Sequence, residues 1–382
     1  MGYLHVEVVT AQSPKRPGAL CGDLVRVERR RLWTTVLCSD GMGSGVQAHL
    51  AAELHASRLL ELERGGTPLR DAFGRVAHTI HQGRGKNGLY AAFSVARVLP
   101  TGEATVLSYD APAALLIASG HAELLPRRTF NLDDAVVSES HCQLVEGEAI
   151  VMVTDGVTQA GLGTRFRNGW GIEEVARHAS SCLASGTTMA ELPRILHDQA
   201  LQHWGAKVGD DVTAVLAGCR SGRCLTVLTG PPRSPSRDDE TVREFLREDG
   251  WKVICGATTA RIVARQLKEE LVVMNDDPAL VAPPRYQLPG IHLVTEGAIT
   301  LNQVYNILEE DPERYEEDSG VTELCDLFRL ADRIHFIVGC NTNPANASIA
   351  FLQRGILGRT RIVPLLRDKL VAAQKDVVID YV

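Results

Sequence analysis

The 382-residue sequence lacks any apolar run near the ~20 residues that a membrane-crossing helix needs. Its N-terminus, MGYLHVEVVTAQSPKRPGAL, lacks the basic start and apolar stretch of a secretory leader. No membrane partner and a cytoplasmic location are therefore expected. CxxC pairs are also missing, which argues against a structural zinc site. Nine cysteines (Cys21, Cys38, Cys142, Cys182, Cys219, Cys224, Cys255, Cys325 and Cys340) are an odd number, a poor basis for a disulfide framework. Cys38 in LWTTVLC and Cys255 in WKVIC sit in apolar runs, so reduced, buried thiols are expected. A basic excess is absent as well. The chain has 40 basic and 47 acidic residues, a net charge of -7. Up to Gly222 the balance is 21 against 23, and beyond it 19 against 24. Neither half offers the field that would make nucleic acid its partner. No internal repeat, GxGxxG or GxxxxGK[ST] occurs, which removes the main sequence signs of a nucleotide fold.

What remains is an ordinary globular composition, 45% hydrophobic and 23% charged, at a length that suits two domains. Up to residue 222, β-like runs follow one another: HVEVVTAQ, DLVRVERR, RLWTTVLCSD, YAAFSVARVL, EATVLSY, AALLIAS, HAELLP, EAIVMVTD and DVTAVLAG. Helical patterns cover 46–62, where Leu50, Leu54 and Leu62 recur with alanines between, and also 68–81, 172–183 and 189–204. Strands in series with helices grouped apart predict α+β layers. From residue 223 onward the pattern alternates: LTVLTG, DDETVREFLRE, KVICG, TTARIVARQL, LVVMN, IHLVTEG, ITLNQVYNILEE and RIHFIVG. This predicts a three-layer α/β domain with a mostly parallel sheet. The expected domains are thus 1–222 and 223–382.

Several acidic residues stand where β-like runs begin or end. Asp23 follows Gly22, Asp40 ends TTVLCSD and precedes Gly41, Asp155 ends AIVMVTD and precedes Gly156, and Asp210 and Asp211 open DDVTAVLAG. Strands can bring such residues to one edge of a sandwich, where clustered carboxylates repel unless a cation neutralises them. Mg²⁺ and Mn²⁺ favour such oxygen ligands, and a glycine after the aspartate frees a carbonyl to join them. Asp-Gly is also an ordinary turn signal.

In combination these motifs resemble the PP2C-type phosphatase domain of the sporulation-protein-E (SpoIIE) family. The carriers are CGD at 21–23, SDGMGSG at 39–45, VTDGVTQA at 153–160 and GDDVTAVL at 209–216. The resemblance implies a PP2C-like α-β-β-α sandwich and a metal-dependent protein serine/threonine phosphatase. It implies two divalent ions, Mn²⁺ or Mg²⁺, and direct attack of a metal-activated water without a phosphoenzyme. By motif, Asp40 would bridge the ions, with the Gly41 carbonyl on one of them. Asp155 and Asp210 would hold the second, with Asp211, its neighbour in the pair, as a further metal residue or a support behind it; Asp23 would act as ligand or orienting base, and Thr213 would support that loop. Asp23 and Asp40 are the expected catalytic residues. The implied partner is a phosphoprotein, by family precedent an anti-sigma-factor antagonist. The two helices over 46–81 are the expected switch, hinged at Gly65–Gly66 and Gly83–Gly85. The chain departs from the family pattern at Tyr109-Asp110-Ala111-Pro112 and at Gly147-Glu148, and no phosphate-binding arginine is evident. Lys15 and Arg16 are candidates for that role, alongside their reading as a solvated turn. His49, His55, His78 and His81 are expected to be structural or surface residues.

The C-terminal half has no such signature. The loop in LTGPPRSPSRDD, Thr258 and Thr259 at a helix start, NDDP (275–278) and GCNTNPAN (339–346) are candidates for ligand contact or simply for caps and turns. The acidic stretch 309–318 is expected to be solvated. This half resembles tails of SpoIIE-like phosphatases encoded near iron-only hydrogenases in anaerobic bacteria, which implies a hydrogenase-related system as a partner. Two alternatives stay open: a catalytically silent phosphoprotein-binding module, and a small-molecule sensor centred on 223–382. A homodimer is also left open.

Overall fold

The computed structural model describes residues 3–83, 89–132, 135–206, 208–274, 283–311, 319–341 and 355–382. The NDDP loop, GCNTNPAN beyond Asn341, the acidic stretch beyond Asp311 and the hinge positions 84–85 lie outside them. The chain divides into two compact units, Tyr3–Ser221 and Gly222–Val382.

The first unit contains two antiparallel sheets. One has the order β1 (Leu4–Ser13), β11 (Val212–Ser221), β10 (Ala149–Val153), β6 (Leu115–Ala118), β7 (His121–Leu124). The other has β2 (Asp23–Arg30), β3 (Trp33–Gly41), β4 (Ala91–Val98), β5 (Glu103–Tyr109), β9 (Ala135–Gln143), β8 (Arg128–Leu132). Alternation along the strands builds the layers. On β3, Val36 and Cys38 join Ile150, Met152, Val215 and Ala217 of the opposite sheet in a core between the two. Leu37 points the other way, into a cluster with α1 (Val46–Arg64) and α2 (Leu69–Gly83). On β11, Ala214 and Leu216 face a third cluster with α4 (Ile172–Ala184) and α5 (Leu192–Trp204). The central strands are covered on both faces, which is why they read as continuous apolar runs. The expected α-β-β-α sandwich is the one observed.

Several details differ from expectation. Leu50 and Leu54 of α1 are 54% and 52% exposed, and the face turned inward is Ala48, Ala51, Ala52, Ala56, Leu59 and Leu60. Small side chains are needed there because the helix lies close to β3: a Cβ on Gly41 would meet the Ala48 carbonyl oxygen at 1.9 Å. The strand before Asp155 stops at Val153, and Asp155 opens a single helical turn, α3 (Asp155–Thr158). Strands β8 and β9 were not foreseen.

The second unit is a seven-stranded sheet ordered β14 (Val272–Val273), β15 (Arg285–Gln287), β16 (Leu293–Thr295), β13 (Trp251–Cys255), β12 (Cys224–Thr229), β17 (Arg333–Val338), β18 (Asp376–Tyr381). From β16 to β18 neighbouring strands are parallel, and the β14–β15 edge is antiparallel. α6 (Asp238–Arg247) and α7 (Ala257–Leu267) cover one face through Val242, Phe245 and Val263. α8 (Ala298–Ile307), α9 (Gly320–Leu330) and α10 (Arg359–Ala372) cover the other through Leu301, Phe328 and Leu366. The mostly parallel three-layer domain is as expected. LVVMN contributes only a short, exposed antiparallel edge. Thr258 and Thr259 lie inside α7, whose N-cap is Gly256.

Candidate active site

The acidic residues converge because their elements do. Asp23 opens β2 and Asp40 is the last residue but one of β3, and the antiparallel register sets them opposite each other. α3 and the start of β11 come against them from the other sheet. A Cβ on Gly156 would lie 1.8 Å from the Asp211 carbonyl oxygen, so only glycine permits α3 to approach β11 this closely. Gly43 and Gly45, with φ of 96° and 80°, turn the chain from Asp40 into α1.

Within this cluster the carboxylates differ in support. Asp23 is buried, and its Oδ2 accepts hydrogen bonds from Thr213 Oγ1 at 2.6 Å and Thr154 Oγ1 at 2.8 Å. Burial nevertheless pushes its carboxyl up to about 7, with Asp211 and Asp210 adding to the shift. Asp211, also buried, accepts from the backbone N–H of Lys15 at 2.6 Å and of Gly22 at 2.9 Å. It therefore ties the loop before β2 to β11. Asp40 has weaker support: burial, then the charges of Asp23 and Asp155, push it up to about 10, and its carboxyl is within hydrogen-bonding reach of Asp155. Asp155 Oδ2 accepts from Gln159 Nε2 at 2.8 Å, whereas its buried Oδ1 receives no hydrogen bond among the described residues. Asp210 is raised to about 6 by burial and by Asp155, and the Lys15 ammonium pulls in the opposite direction.

All the proposed acids thus come into one cluster. Thr213 is a direct donor to Asp23. Thr154 was not singled out, although its place before Asp155 in VTDG was visible; its hydroxyl role depends on β2, 131 residues away in sequence. Lys15 reaches the cluster, and Arg16 is exposed. His49 Nδ1 donates to the Cys21 carbonyl at 2.9 Å, and buried His55 Nε2 to that of Leu89 at 2.8 Å. His81 Nδ1 lies 3.3 Å from the Tyr109 hydroxyl. The nine cysteines are free thiols, and Cys38, Cys219, Cys255 and Cys325 are buried.

The donor set fits a hard divalent cation. It is all oxygen, its members repel one another, and one buried carboxylate oxygen lacks a donor. Among the described residues, however, no three His, Cys, Asp or Glu side chains already stand close enough to clasp one ion.

In the second unit, a cavity of about 320 Å³ lies between α8 and the start of α10, lined by uncharged residues including Asn302, Gln303, Tyr305 and Leu357. At the carboxyl ends of β12 and β17, the Arg359 guanidinium packs on Gly230 and donates to the Asn341 carbonyl at 2.8 Å. Burial lowers its pKa.

Residues 33–220 match the family model described as Stage II sporulation protein E (SpoIIE). No curated protein matches the sequence. Among solved structures, similar ones include the phosphatase domain of the cell-fate determinant SpoIIE from Bacillus subtilis. It is 15% identical, with 58% of this chain and 95% of that one covered and a TM-score of 0.45. The RsbU and RsbW domains of a Mycobacterium tuberculosis protein are 20% identical over 64% of this chain and 68% of that one, TM-score 0.48. RsbX in complex with magnesium is 17% identical over 56% and 99%, TM-score 0.40. No helix among the described residues is long and apolar enough to cross a membrane.

Proposed function

We propose that the SpoIIE-family PP2C-type domain at residues 33–220 makes this chain a metal-dependent protein serine/threonine phosphatase. The observation that carries the reading is the meeting of Asp23, Asp40, Asp155 and Asp210 from β2, β3, α3 and the loop before β11, each with a neighbour of like charge. A protein gains no stability from such a cluster unless a cation joins it. Two divalent ions, Mn²⁺ or Mg²⁺, would be held by Asp40, the Gly41 carbonyl, Asp155 and Asp210. When bound they supply charge neutralisation and an activated water for in-line attack on phosphorus. Asp23, fixed by two threonine hydroxyls, would orient that water or complete the ligand set. Asp211 holds the Lys15 loop beside it, and the Lys15 ammonium adds positive charge at the rim. The substrate is a phosphoserine or phosphothreonine protein of the anti-sigma-factor-antagonist type, and the C-terminal unit serves as a sensory or docking domain.

Phosphate release from a phosphoserine peptide, with Mn²⁺ or Mg²⁺ against EDTA, tests this. Turnover should require the metal and fall at least ~100-fold in Asp40→Asn and in Asp155→Asn. That no three His, Cys, Asp or Glu side chains among the described residues already clasp one ion favours a second reading, phosphoprotein binding without turnover. Metal-independent binding of the phosphopeptide, with no phosphate released by any variant, would establish that alternative.

A further inference from the structure

A second place in the first unit concentrates charge of the opposite sign. The loop 161–170, between α3 and α4, folds back over α4 and α5 and with them lines an open groove of about 870 Å³, within the usual range for small-molecule sites, with Arg165 and Arg167 exposed to solvent. Arg165, Arg167 and Arg177 line it with His178 and His203, against a wall formed by Phe166 and Trp170. Arg177 pairs with Glu174 three residues before it. No carboxylate among the described residues pairs with Arg165 or Arg167. In a chain of net charge -7, this is a local inversion.

The aromatic wall is ordered. Trp170 is only 7% exposed, and its ring meets those of His203 at 4.9 Å and His178 at 5.6 Å, both edge-to-face. Phe166 meets His203 at 5.0 Å, and the Arg165 guanidinium lies 5.7 Å from the Phe166 ring centre. Burial lowers the pKa of both imidazoles, and for His203 Arg165 and His178 lower it further. Both rings are therefore neutral near pH 7, and the positive charge rests on the guanidinium groups.

We propose that this groove binds a phosphate-bearing small molecule of nucleotide size, with its phosphates on Arg165 and Arg167 and its ring against Phe166. Guanidinium forks match phosphate oxygens two at a time, and the aromatic edge offers a face to a base. A protein carboxylate would engage the arginines but leave most of this volume empty.

The walls of the groove touch α3, which presents Asp155. The Trp204 indole N–H, next to His203, donates to the Gly156 carbonyl at 2.8 Å. Gly169 lies so close to α3 that a Cβ would fall 2.6 Å from the Thr158 carbonyl oxygen. An occupant is thus placed to influence the acidic site, although its binding can be measured without turnover.

The test titrates the full-length protein with ATP and with adenosine in EDTA, followed by calorimetry and tryptophan fluorescence. Saturable ATP binding is expected, with adenosine at least tenfold weaker. Arg165→Ala/Arg167→Ala should weaken ATP at least tenfold, and Asp40→Asn should leave its affinity unchanged. Circular dichroism and the Arg165→Lys/Arg167→Lys variant, which retains the charge, separate lost contacts from lost fold. No saturable binding up to millimolar ATP, equal affinity in the double alanine variant, or equal affinity for adenosine would overturn the proposal. Metal-dependent phosphate release is measured separately, so that failure would leave the phosphatase reading standing.

Discussion

Asp40 and Glu63 show how differently two acids of the same layer are held. Glu63, on the inner face of α1, is buried, accepts from Thr35 Oγ1 at 3.1 Å and pairs with Arg97. Arg97 in turn lies 4.7 Å from the Trp33 ring centre. Every charge there has a counterpart. Glu63→Ala should therefore leave the Arg97 cation uncompensated and cost about 3–5 kcal/mol, read from urea denaturation. Asp40 is the opposite case: the charges that act on it most, those of Asp23, Asp155 and Asp210, are all acidic. Replacing it by asparagine removes repulsion and keeps the shape. In EDTA, Asp40→Asn should melt at a higher temperature than the wild type. Added Mn²⁺ should raise the wild-type midpoint by ligand linkage and leave the variant nearly unmoved. A metal-free variant less stable than wild type would show that Asp40 is a structural residue and not one kept for a cation.

At the scale of elements, α1 is the most informative. Its sequence pattern pointed to Leu50 and Leu54, but the helix buries alanines, because the close approach to Gly41 leaves no room for larger side chains. Leu54→Ser should change stability by no more than about 0.5 kcal/mol, whereas Leu59→Ala should cost about 2–5 kcal/mol. Equal costs in chemical denaturation would mean that the exposed face is covered in solution. The remaining legibility of the fold follows the same physics. Strands buried on both faces, such as β3, β10 and β11, announce themselves as apolar runs. β8 and β9 carry Arg128, Asn131, Glu139 and His141, and their half-exposed pattern is no stronger than that of a loop. α10 has Pro364 within it, which masks a helical reading. The candidate site was legible where an aspartate met a glycine at a strand end. It was not legible at Thr154, because that residue's role arises from a contact across sheets. The arginine-lined groove was also missed, since its residues come from a loop and two helices that only folding brings together.

For the whole molecule, the question is whether each unit can stand by itself. Each has its own sheets, closed in strand order without a strand from the other. The apolar clusters follow the same division: three are built from residues before Gly222, and two from residues after it. A segment of roughly 160 to 220 residues with its own core is in the size range of independently folding domains. Residues 1–222 and 223–382, expressed separately, should each show a cooperative urea transition. The shorter N-terminal protein should retain metal-dependent phosphate release, because Asp23, Asp40, Asp155, Asp210 and their hydrogen-bond partners all lie within it. Any change in its rate relative to the full chain then measures what the C-terminal unit contributes, which is the quantity a sensory or docking role requires. An N-terminal protein that is folded by circular dichroism, yet releases phosphate only when residues 223–382 are present, would move the C-terminal unit from regulation into the catalytic apparatus.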